Sequence, residues 1–329
     1  MSLSRPLASL SLDLDNQWTY LKVHGDPGWE TFPSYLDVLV PRVLESLERR
    51  ELRITFFVVG QDAALEKNNK CLRMIGAAGH RIGNHSFSHE PWFHRYDMGQ
   101  TESEISLAEE HINKVVGQRP IGFRGPGYSF SETTLEVLER RGYIYDASTL
   151  PTYFGPLARL YYLSHSNLTG RERRQRSQLF GSFTDGFRPL SAHRWRSGKG
   201  LLEIPVTTMP VLRAPIHLSY LLFLSRLSCR MALSYFRLAL RLCDAFGIAP
   251  SLLLHPLDFL GADDDVGLDF FPAMQLSAKQ KSEFLSEVLK IFCDRFSVTS
   301  LEDYAGTISR EACRSAIEAC HRPPFPAHK

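Results

Sequence analysis

Short apolar runs alternate with amphipathic stretches along most of the chain. Residues 54–59 form a continuous run of β-branched and aromatic side chains, which is typical of a strand buried on both faces. Residues 33–50 instead place apolar side chains three and four positions apart, and this spacing predicts a helix with one buried face. The same two patterns predict strands at 10–14, 81–85, 121–124, 144–146, 201–206, 251–255 and 296–299, and helices ending at 79 and spanning 100–116, 131–142 and 277–293.

This alternation predicts an α/β fold in which crossover helices connect parallel strands. At 329 residues the chain is longer than most single domains, but barrels of alternating strands and helices reach this length as one unit. We therefore predict that residues 1–329 form one domain, a distorted (β/α) barrel of mostly parallel strands with a basic, partly helical insertion.

Two segments interrupt the alternation and are predicted to be insertions between barrel strands. The first, at about 151–199, is rich in loops and in arginine. The second, at about 214–246, is predicted to form one strongly apolar, amphipathic helix. Four arginines fall on one stripe of that helix: Arg226, Arg230, Arg237 and Arg241. We expect the helix to lie at a membrane interface or to cover the substrate as a lid, and the alternative is a core helix with one basic face in water.

Polar residues gather at the carboxyl ends of the predicted strands. Two imidazoles four positions apart, His85 and His89, follow one strand, and Asp15 follows the first strand. Because the carboxyl ends of parallel strands meet at one edge of the sheet, we expect these groups to lie close together. Two histidines and a carboxylate hold a divalent metal while leaving positions open to water and substrate. We expect one such ion here, Zn²⁺ first, with Co²⁺, Ni²⁺ and Mn²⁺ as alternatives.

Composition narrows the class of protein. The formal charge of +2 argues against general polyanion binding, so we expect no nucleic-acid partner. The six cysteines include no Cys-x-x-Cys pair, which favours reduced thiols in a cytosolic protein. The first residues lack the apolar stretch of a secretory signal, and no uncharged apolar run is long enough to span a membrane. We expect a cytoplasmic protein, in peripheral contact with the inner membrane face if residues 214–246 bind lipid.

Five segments, in this order, resemble the motifs of the polysaccharide deacetylases, the family of chitooligosaccharide and peptidoglycan deacetylases also classed as carbohydrate esterase family 4. They are Ser-Leu-Asp-Leu-Asp at 11–15, Asn-His-Ser-Phe-Ser-His at 84–89, Phe-Arg-Gly-Pro-Gly-Tyr at 123–128, Tyr-Asp-Ala-Ser at 145–148 and Leu-Leu-Leu-His-Pro at 252–256. The resemblance covers about residues 8–150 and 200–305. It implies a catalytic deacetylase-like barrel that holds its metal on Asp15, His85 and His89.

The resemblance also implies roles for residues around the metal. Asp13 would be the general base that takes a proton from the attacking water, and His255 would protonate the departing amine. Arg124 would hold Asp13 through a bidentate pair. Asp146 would orient His255, and Asp258 is the alternative for that role.

The turn at 126–128 departs from the family pattern, because its tyrosine follows the second glycine rather than preceding it. Pro126 and Tyr128 are still expected to line the substrate site. A backbone N–H near Tyr128 would stabilise the oxyanion that forms at the attacked carbonyl.

The implied activity is metal-dependent hydrolysis of a linear amide, which removes an acetyl or formyl group from an amino sugar. A polyprenyl-phosphate-linked glycan at the cytoplasmic membrane face would use both the basic insertion and the apolar helix. Three alternatives remain open: a related hydrolase of cyclic amides or imides, a non-haem iron oxygenase built on the same ligand triad, and a non-catalytic protein that binds lipid or anionic glycan.

Overall fold

The computed structural model describes residues 5–176, 179–196, 198, 200–271 and 273–320, with side chains described up to residue 311. Within these ranges nine strands form one sheet. The strands are β1 Leu7–Leu14, β2 Thr55–Val58, β3 Arg81–Asn84, β4 Gly122–Phe123, β5 Tyr145–Asp146, β6 His193–Arg194, β7 Leu202–Glu203, β8 Ser251–Leu254 and β9 Ser297–Thr299. The α-helices are α1 Gln17–His24, α2 Leu36–Glu48, α3 Gly60–Ala64, α4 Asn69–Ala77, α5 Met98–Val116, α6 Glu132–Arg140, α7 Gly155–His165, α8 Gly170–Gln175, α9 Leu218–Ser225, α10 Cys229–Ala245, α11 Ala278–Arg295 and α12 Leu301–Cys320.

The sheet is mostly parallel and curled. Its strand order is β6-β7-β5-β4-β3-β2-β1-β8, and β9 pairs with the first residues of β1. The β6–β7 pair is antiparallel, and the other pairs described are parallel. Two hydrogen bonds between Thr207 and Ser251, at 2.7 and 3.0 Å, connect the segment after β7 to β8 and draw the two ends of the sheet together. The predicted fold class, a distorted barrel of mostly parallel strands, is confirmed.

The apolar pattern explains where the main elements lie. Every residue of β2 is buried, as its continuous apolar run predicts. α5 begins after Asp97, whose side chain accepts a hydrogen bond from the N–H of Gln100, and it ends at Gly117, which adopts a φ of 74°. α2 buries one face at helical spacing, through Leu36, Leu39, Val40, Val43 and Leu47.

The arginine-rich segment 151–199 packs on the barrel beside α1. Its buried Arg176 donates hydrogen bonds to the backbone carbonyls of Lys22 and Val23, each at 3.1 Å. The N–H of Asn167 donates to the carbonyl of His24 at 3.1 Å. Because α1 follows the carboxyl end of β1, these contacts place the segment at the same edge of the barrel as the predicted metal ligands.

The second segment, 214–246, forms two helices rather than the one predicted. Ser228 interrupts the helix because its side chain accepts a hydrogen bond from the N–H of Met231 and caps α10. Arg226 therefore ends α9 and does not belong to the same stripe as the arginines of α10. Much of the apolar surface belongs to the protein core, including the fully buried Leu221 and Phe236. Among the described helices, none is both long and apolar enough to cross a membrane.

Candidate active site

Strand ends bring the predicted metal ligands together. Asp13 and Asp15 are two positions apart at the end of β1, so their side chains point to the same side of the sheet. β2 lies between β1 and β3, and His85 directly follows β3. The ligand atoms of Asp15, His85 and His89 all lie within 4.8 Å of one another.

The loop that carries both imidazoles is conformationally strained and well supported. Ser86 and His89 adopt positive φ values of 60° and 52°, which are unfavourable for residues other than glycine. The Glu104 carboxylate, on α5, accepts hydrogen bonds from two backbone N–H groups of the loop at 2.8 and 2.9 Å. This support fixes the position of His89 relative to His85. No local pattern marks Glu104, because it acts from a different helix.

The three ligands leave atoms that a cation would satisfy. Nδ1 of His85 donates to the backbone carbonyl of Arg124 at 2.6 Å, which leaves Nε2 as the ring nitrogen that faces Asp15. Oδ1 of Asp15 lies 3.4 Å from Nε2 of His85 and 3.0 Å from Nε2 of His89. Neither approach has hydrogen-bond geometry, and Oδ1 of Asp15 and both ring nitrogens of His89 are buried without a partner. Two imidazole nitrogens and a carboxylate oxygen in this arrangement fit a divalent ion with open coordination positions.

The imidazoles also control the charge of Asp15. Burial by itself would raise the pKa of the Asp15 carboxyl. The interactions with His89 and His85 outweigh burial and lower that pKa well below its usual range. Asp15 is therefore held in the ionised form that binds a cation.

Asp13 is paired with a completely buried arginine. Nη1 of Arg124 donates to Oδ1 of Asp13 at 2.6 Å and to Oγ of Ser11 at 2.9 Å. Nε of Arg124 donates to the carbonyl of Ala147 at 2.9 Å, and the guanidinium lies 4.3 Å from the centre of the Phe57 ring. The contact with Asp13 is therefore through Nη1 alone rather than the bidentate pair predicted, and Nη2 is buried without a hydrogen-bond partner.

His255 lies next to a carboxylate and a hydroxyl. It directly follows β8, and its backbone N–H donates to Oδ2 of Asp258 at 2.7 Å. Oγ of Ser219, in α9, lies 3.1 Å from Nδ1 of His255 and donates to Oδ1 of Asp258 at 2.7 Å. Of the two carboxylates considered for orienting His255, Asp258 is the one that contacts it. Ser219 was not predicted, because no strand end or motif marks its position.

Asp146 faces a different neighbour. Its Oδ1 accepts hydrogen bonds from the N–H of Ala147 at 2.9 Å and the hydroxyl of Ser148 at 2.5 Å. It pairs in register with Glu203 on β7, and Oδ2 of Asp146 and Oε2 of Glu203 are both buried without a partner. Burial raises the pKa of Asp146 to about 6 and that of Glu203 well above its ordinary value. The raised pKa values favour the protonated form of these two carboxyls. The hydrogen bonds of Asp146 are with Ala147 and Ser148 rather than with His255, and its orienting role stays a prediction.

The turn after β4 does not leave the predicted oxyanion donor free. The N–H of Tyr128 donates to the carbonyl of Gly125 at 3.0 Å, and Tyr128 adopts a positive φ of 64°. Pro126, between them, is buried. The backbone N–H of Tyr128 is thus used to close the turn, and the oxyanion role expected of a backbone N–H near Tyr128 stays a prediction.

Two phenol hydroxyls lie close to the aspartates. Burial and the charge of Asp13 raise the pKa of Tyr128 well above its ordinary value. Burial and the charge of Asp15 do the same for Tyr20, on α1. Both hydroxyls therefore remain protonated and able to donate a hydrogen bond. Sequence analysis missed Tyr20 because α1 buries polar as well as apolar residues and shows no apolar stripe.

A cavity of about 380 Å³ lies between this turn and the arginine-rich segment. Tyr128 and Phe130 line one wall, and Asp185, Arg188 and Trp195 line the other. Nε1 of Trp195 is buried without a partner. The segment 151–199 therefore contributes side chains to the space beside the turn.

The central part of the chain is similar to known proteins. Residues 26–145 match the family model described as polysaccharide deacetylase. A peptidoglycan deacetylase from Helicobacter pylori is 32% identical over 120 residues, which are 36% of this chain and 40% of that protein. A peptidoglycan-N-acetylglucosamine deacetylase from Bacillus cereus is 31% identical over 96 residues, 29% of this chain and 34% of the relative. The chain thus spans less than half the length of these two curated relatives.

A crystal structure of a candidate polysaccharide deacetylase from Mycobacterium smegmatis shares the fold. It matches 100% of this chain and 96% of its own, with a TM-score of 0.61 and 18% sequence identity. The resemblance expected from the motifs is therefore confirmed. The segment that matches the family contains His85, His89 and Arg124, whereas Asp15 and His255 lie outside it.

Proposed function

We propose that this chain, which belongs to the polysaccharide deacetylase family, is a metal-dependent N-deacylase that removes an acetyl or formyl group from an amino sugar of a glycan. The observation that carries the proposal is the convergence of three metal-ligand atoms beside a carboxylate, Asp13, that is not one of them. A metal site with open coordination positions, next to a carboxylate that does not bind the metal, is the arrangement that hydrolysis of an amide requires.

Each side chain has a specific task in this reaction. Asp15, His85 and His89 would hold the ion, which, when bound, polarises the amide carbonyl and makes water more acidic. Asp13 accepts the proton of the attacking water, and the buried Arg124 fixes the carboxylate in position through its 2.6 Å hydrogen bond.

The reaction also needs a proton donor and an oxyanion partner. His255 gives a proton to the departing amine, because an amide nitrogen is a poor leaving group without one. The protonated hydroxyls of Tyr128 and Tyr20 replace the backbone N–H as the donors available to the oxyanion. We propose Zn²⁺ as the metal, with Co²⁺, Ni²⁺ and Mn²⁺ as alternatives, because two imidazoles and one carboxylate suit these ions.

We further propose that the amino sugar is presented on a polyprenyl phosphate at a membrane surface. The support comes mainly from the segment 151–199, rather than from 214–246. α7 exposes Leu157 and Leu160 by 63% and 67%, and Phe187 is 69% exposed. Arg171 and Arg174 are exposed on the next helix. Apolar and cationic side chains together would recognise an anionic lipid.

The test compares acyl release from three substrates by the zinc-loaded protein. These are N-acetylglucosamine oligomers, peptidoglycan fragments, and an N-acetylated sugar linked to polyprenyl phosphate in detergent. Release of acetate, lost in Asp13→Asn, would support the deacylase. Preference for the lipid-linked form over the same sugar without lipid would support membrane presentation, and equal rates would contradict it.

The same preparation tests the alternatives. Hydrolysis of cyclic imides without acyl release would replace the proposed reaction with that of a cyclic amidohydrolase. Oxygen consumption with bound iron would indicate an oxygenase. Binding of lipid or glycan, with no turnover of any substrate, would leave a non-catalytic binding protein.

A further inference from the structure

We propose that Ser219 is a positioning residue that links the carboxylate of Asp258 to the imidazole of His255. This inference rests on the proposed role of His255 as the general acid. It adds a residue from α9, in the segment 214–246, to a site otherwise built from strand ends.

The contacts form one continuous chain. Oγ of Ser219 lies 2.7 Å from Oδ1 of Asp258 and 3.1 Å from Nδ1 of His255. The second oxygen of Asp258 accepts the backbone N–H of His255 at 2.7 Å. Asp258 therefore holds both the backbone of His255 and, through Ser219, its ring.

The order of donors follows from the chemistry of the groups. A hydroxyl has one proton, and an ionised carboxylate can only accept, so the Ser219 proton points to Asp258. The Ser219 oxygen is then free to accept a hydrogen bond from the Nδ1–H of His255. This arrangement keeps Nδ1 protonated and leaves Nε2 as the nitrogen that exchanges a proton with the leaving amine.

The surroundings keep this chain of contacts in place. α9 buries Leu218, Leu221 and Leu222 in the core, so the backbone of Ser219 is fixed. The ammonium of Lys281 is buried and donates to the carbonyls of Leu257 and Leu260 at 2.7 Å, which anchors the turn that carries Asp258.

Few other ionisable groups face the pair. The ring of His217 lies 6.0 Å from that of His255, and burial lowers the pKa of His217 to about 3, so it stays neutral. Tyr20 and Tyr128 interact electrostatically with Asp258 and remain protonated. Lys281 is the cation that acts on Asp258 from α11.

Ser219→Ala tests the proposal, with Ser219→Thr as the conservative variant. We expect kcat of the alanine variant to fall about 10- to 100-fold, the range measured when a group that orients a catalytic or metal-bound imidazole is removed, while KM changes less than about 2-fold. Threonine keeps the hydroxyl and should recover most of kcat.

A second measurement does not depend on activity. ¹⁵N NMR of histidine-labelled protein should show neutral His255 protonated on Nδ1 in the wild type, and a shift toward Nε2 in Ser219→Ala. Ser225→Ala is the matched control, because it removes a hydroxyl from the same helix that bonds only to the carbonyl of Leu222 at 2.7 Å.

The outcomes separate this inference from the proposed function. Unchanged kcat and tautomer in Ser219→Ala would overturn the role of Ser219. A wild-type protein that releases no acyl group would overturn the proposed function, and the NMR measurement would still decide whether Ser219 sets the tautomer. A loss of kcat equal in Ser225→Ala and Ser219→Ala would indicate damage to α9 and also count against the proposal.

Discussion

The two sides of the candidate site are built in different ways. On the proposed base side, which comprises Asp13, Arg124 and the proposed metal ligands, the groups come from the ends of β1, β3 and β4 and from the loop after β3. On the acid side, His255 follows β8, but the hydroxyl against its ring comes from Ser219 in α9. Strand ends and the loop after β3 thus supply the whole base side, whereas the acid side depends on a helix from outside the strand–helix alternation.

This difference predicts a ranking of effects. A change to a base-side group removes the metal, the charge that holds Asp13, or the proton acceptor itself. No neighbouring described group replaces the one removed. A change to the support of the acid side leaves His255 present and only less well oriented. The following predictions test this ranking, starting with the largest effect.

Removing a metal ligand should have the largest effect. In His89→Ala the site loses one of its three donors, so we expect activity to fall at least about 1,000-fold, beyond the 10- to 100-fold typical of groups that only support a ligand. Metal content after dialysis, measured by plasma mass spectrometry, should fall well below one ion per chain. His165→Ala, which removes an exposed histidine of α7, is the control. Full metal content in His89→Ala would remove His89 from the ligand set.

Removing the base should have the next largest effect. Asp13→Asn keeps the size of the side chain but cannot take a proton, so kcat should fall about 100- to 10,000-fold. Metal content should stay near that of the wild type, because Asp13 is not a ligand. Parallel measurement of kcat and bound metal therefore distinguishes this variant from His89→Ala. Retention of more than a tenth of wild-type kcat would assign the base to another group.

The base side could be predicted from sequence for a physical reason. Parallel strands bring their carboxyl ends to one edge, so Asp15, His85 and Arg124 could be placed together from their positions after apolar runs. The sequence did not give the hydrogen-bond geometry. Arg124 contacts Asp13 through one nitrogen, and its Nε donates to the carbonyl of Ala147, a contact that no pattern encodes.

The acid side and the insertions could be predicted only in part. His255 was expected from its position after β8, but the choice between Asp146 and Asp258 depended on side-chain directions that the strands alone do not determine. Ser219 reaches the site only because α9 packs into the core. The break at Ser228 was hidden because apolar residues continue through it, and the cap is a local hydrogen bond rather than a change in hydrophobicity.

Weakening the support of the base should have an intermediate effect. In Arg124→Lys the single ammonium cannot reach Asp13, Ser11 and the carbonyl of Ala147 together, so we expect kcat to fall about 10- to 100-fold. Because this pair is buried, Arg124→Met should in addition destabilise the fold by about 3 to 5 kcal/mol, by leaving Asp13 unpaired. Thermal unfolding and kcat should be measured for both. Arg119→Lys, in a half-exposed ion pair with Glu109, serves as the control. Wild-type kcat in Arg124→Lys would mean that Asp13 needs no such support.

A change at Glu203 should have the smallest effect on catalysis and a clear effect on stability. Burial raises the folded-state pKa of Asp146 to about 6 and that of Glu203 well above its ordinary value. The folded protein therefore binds more protons than the unfolded chain. The stability that results is complete below about pH 4, where both carboxyls are protonated in the unfolded chain. It is lost as pH rises through about 6, the pKa of Asp146, and at the higher pKa of Glu203. Glu203→Gln removes one titrating group while keeping its shape. We expect the Tm of the wild type to decrease between pH 5 and pH 8, and that of Glu203→Gln to decrease by several degrees less, at about 2 to 4 °C per kcal/mol. Glu287→Gln, an exposed change on α11, should follow the wild type. Parallel Tm curves for wild type and Glu203→Gln would contradict a raised pKa of Glu203 as a cause of the pH dependence of stability.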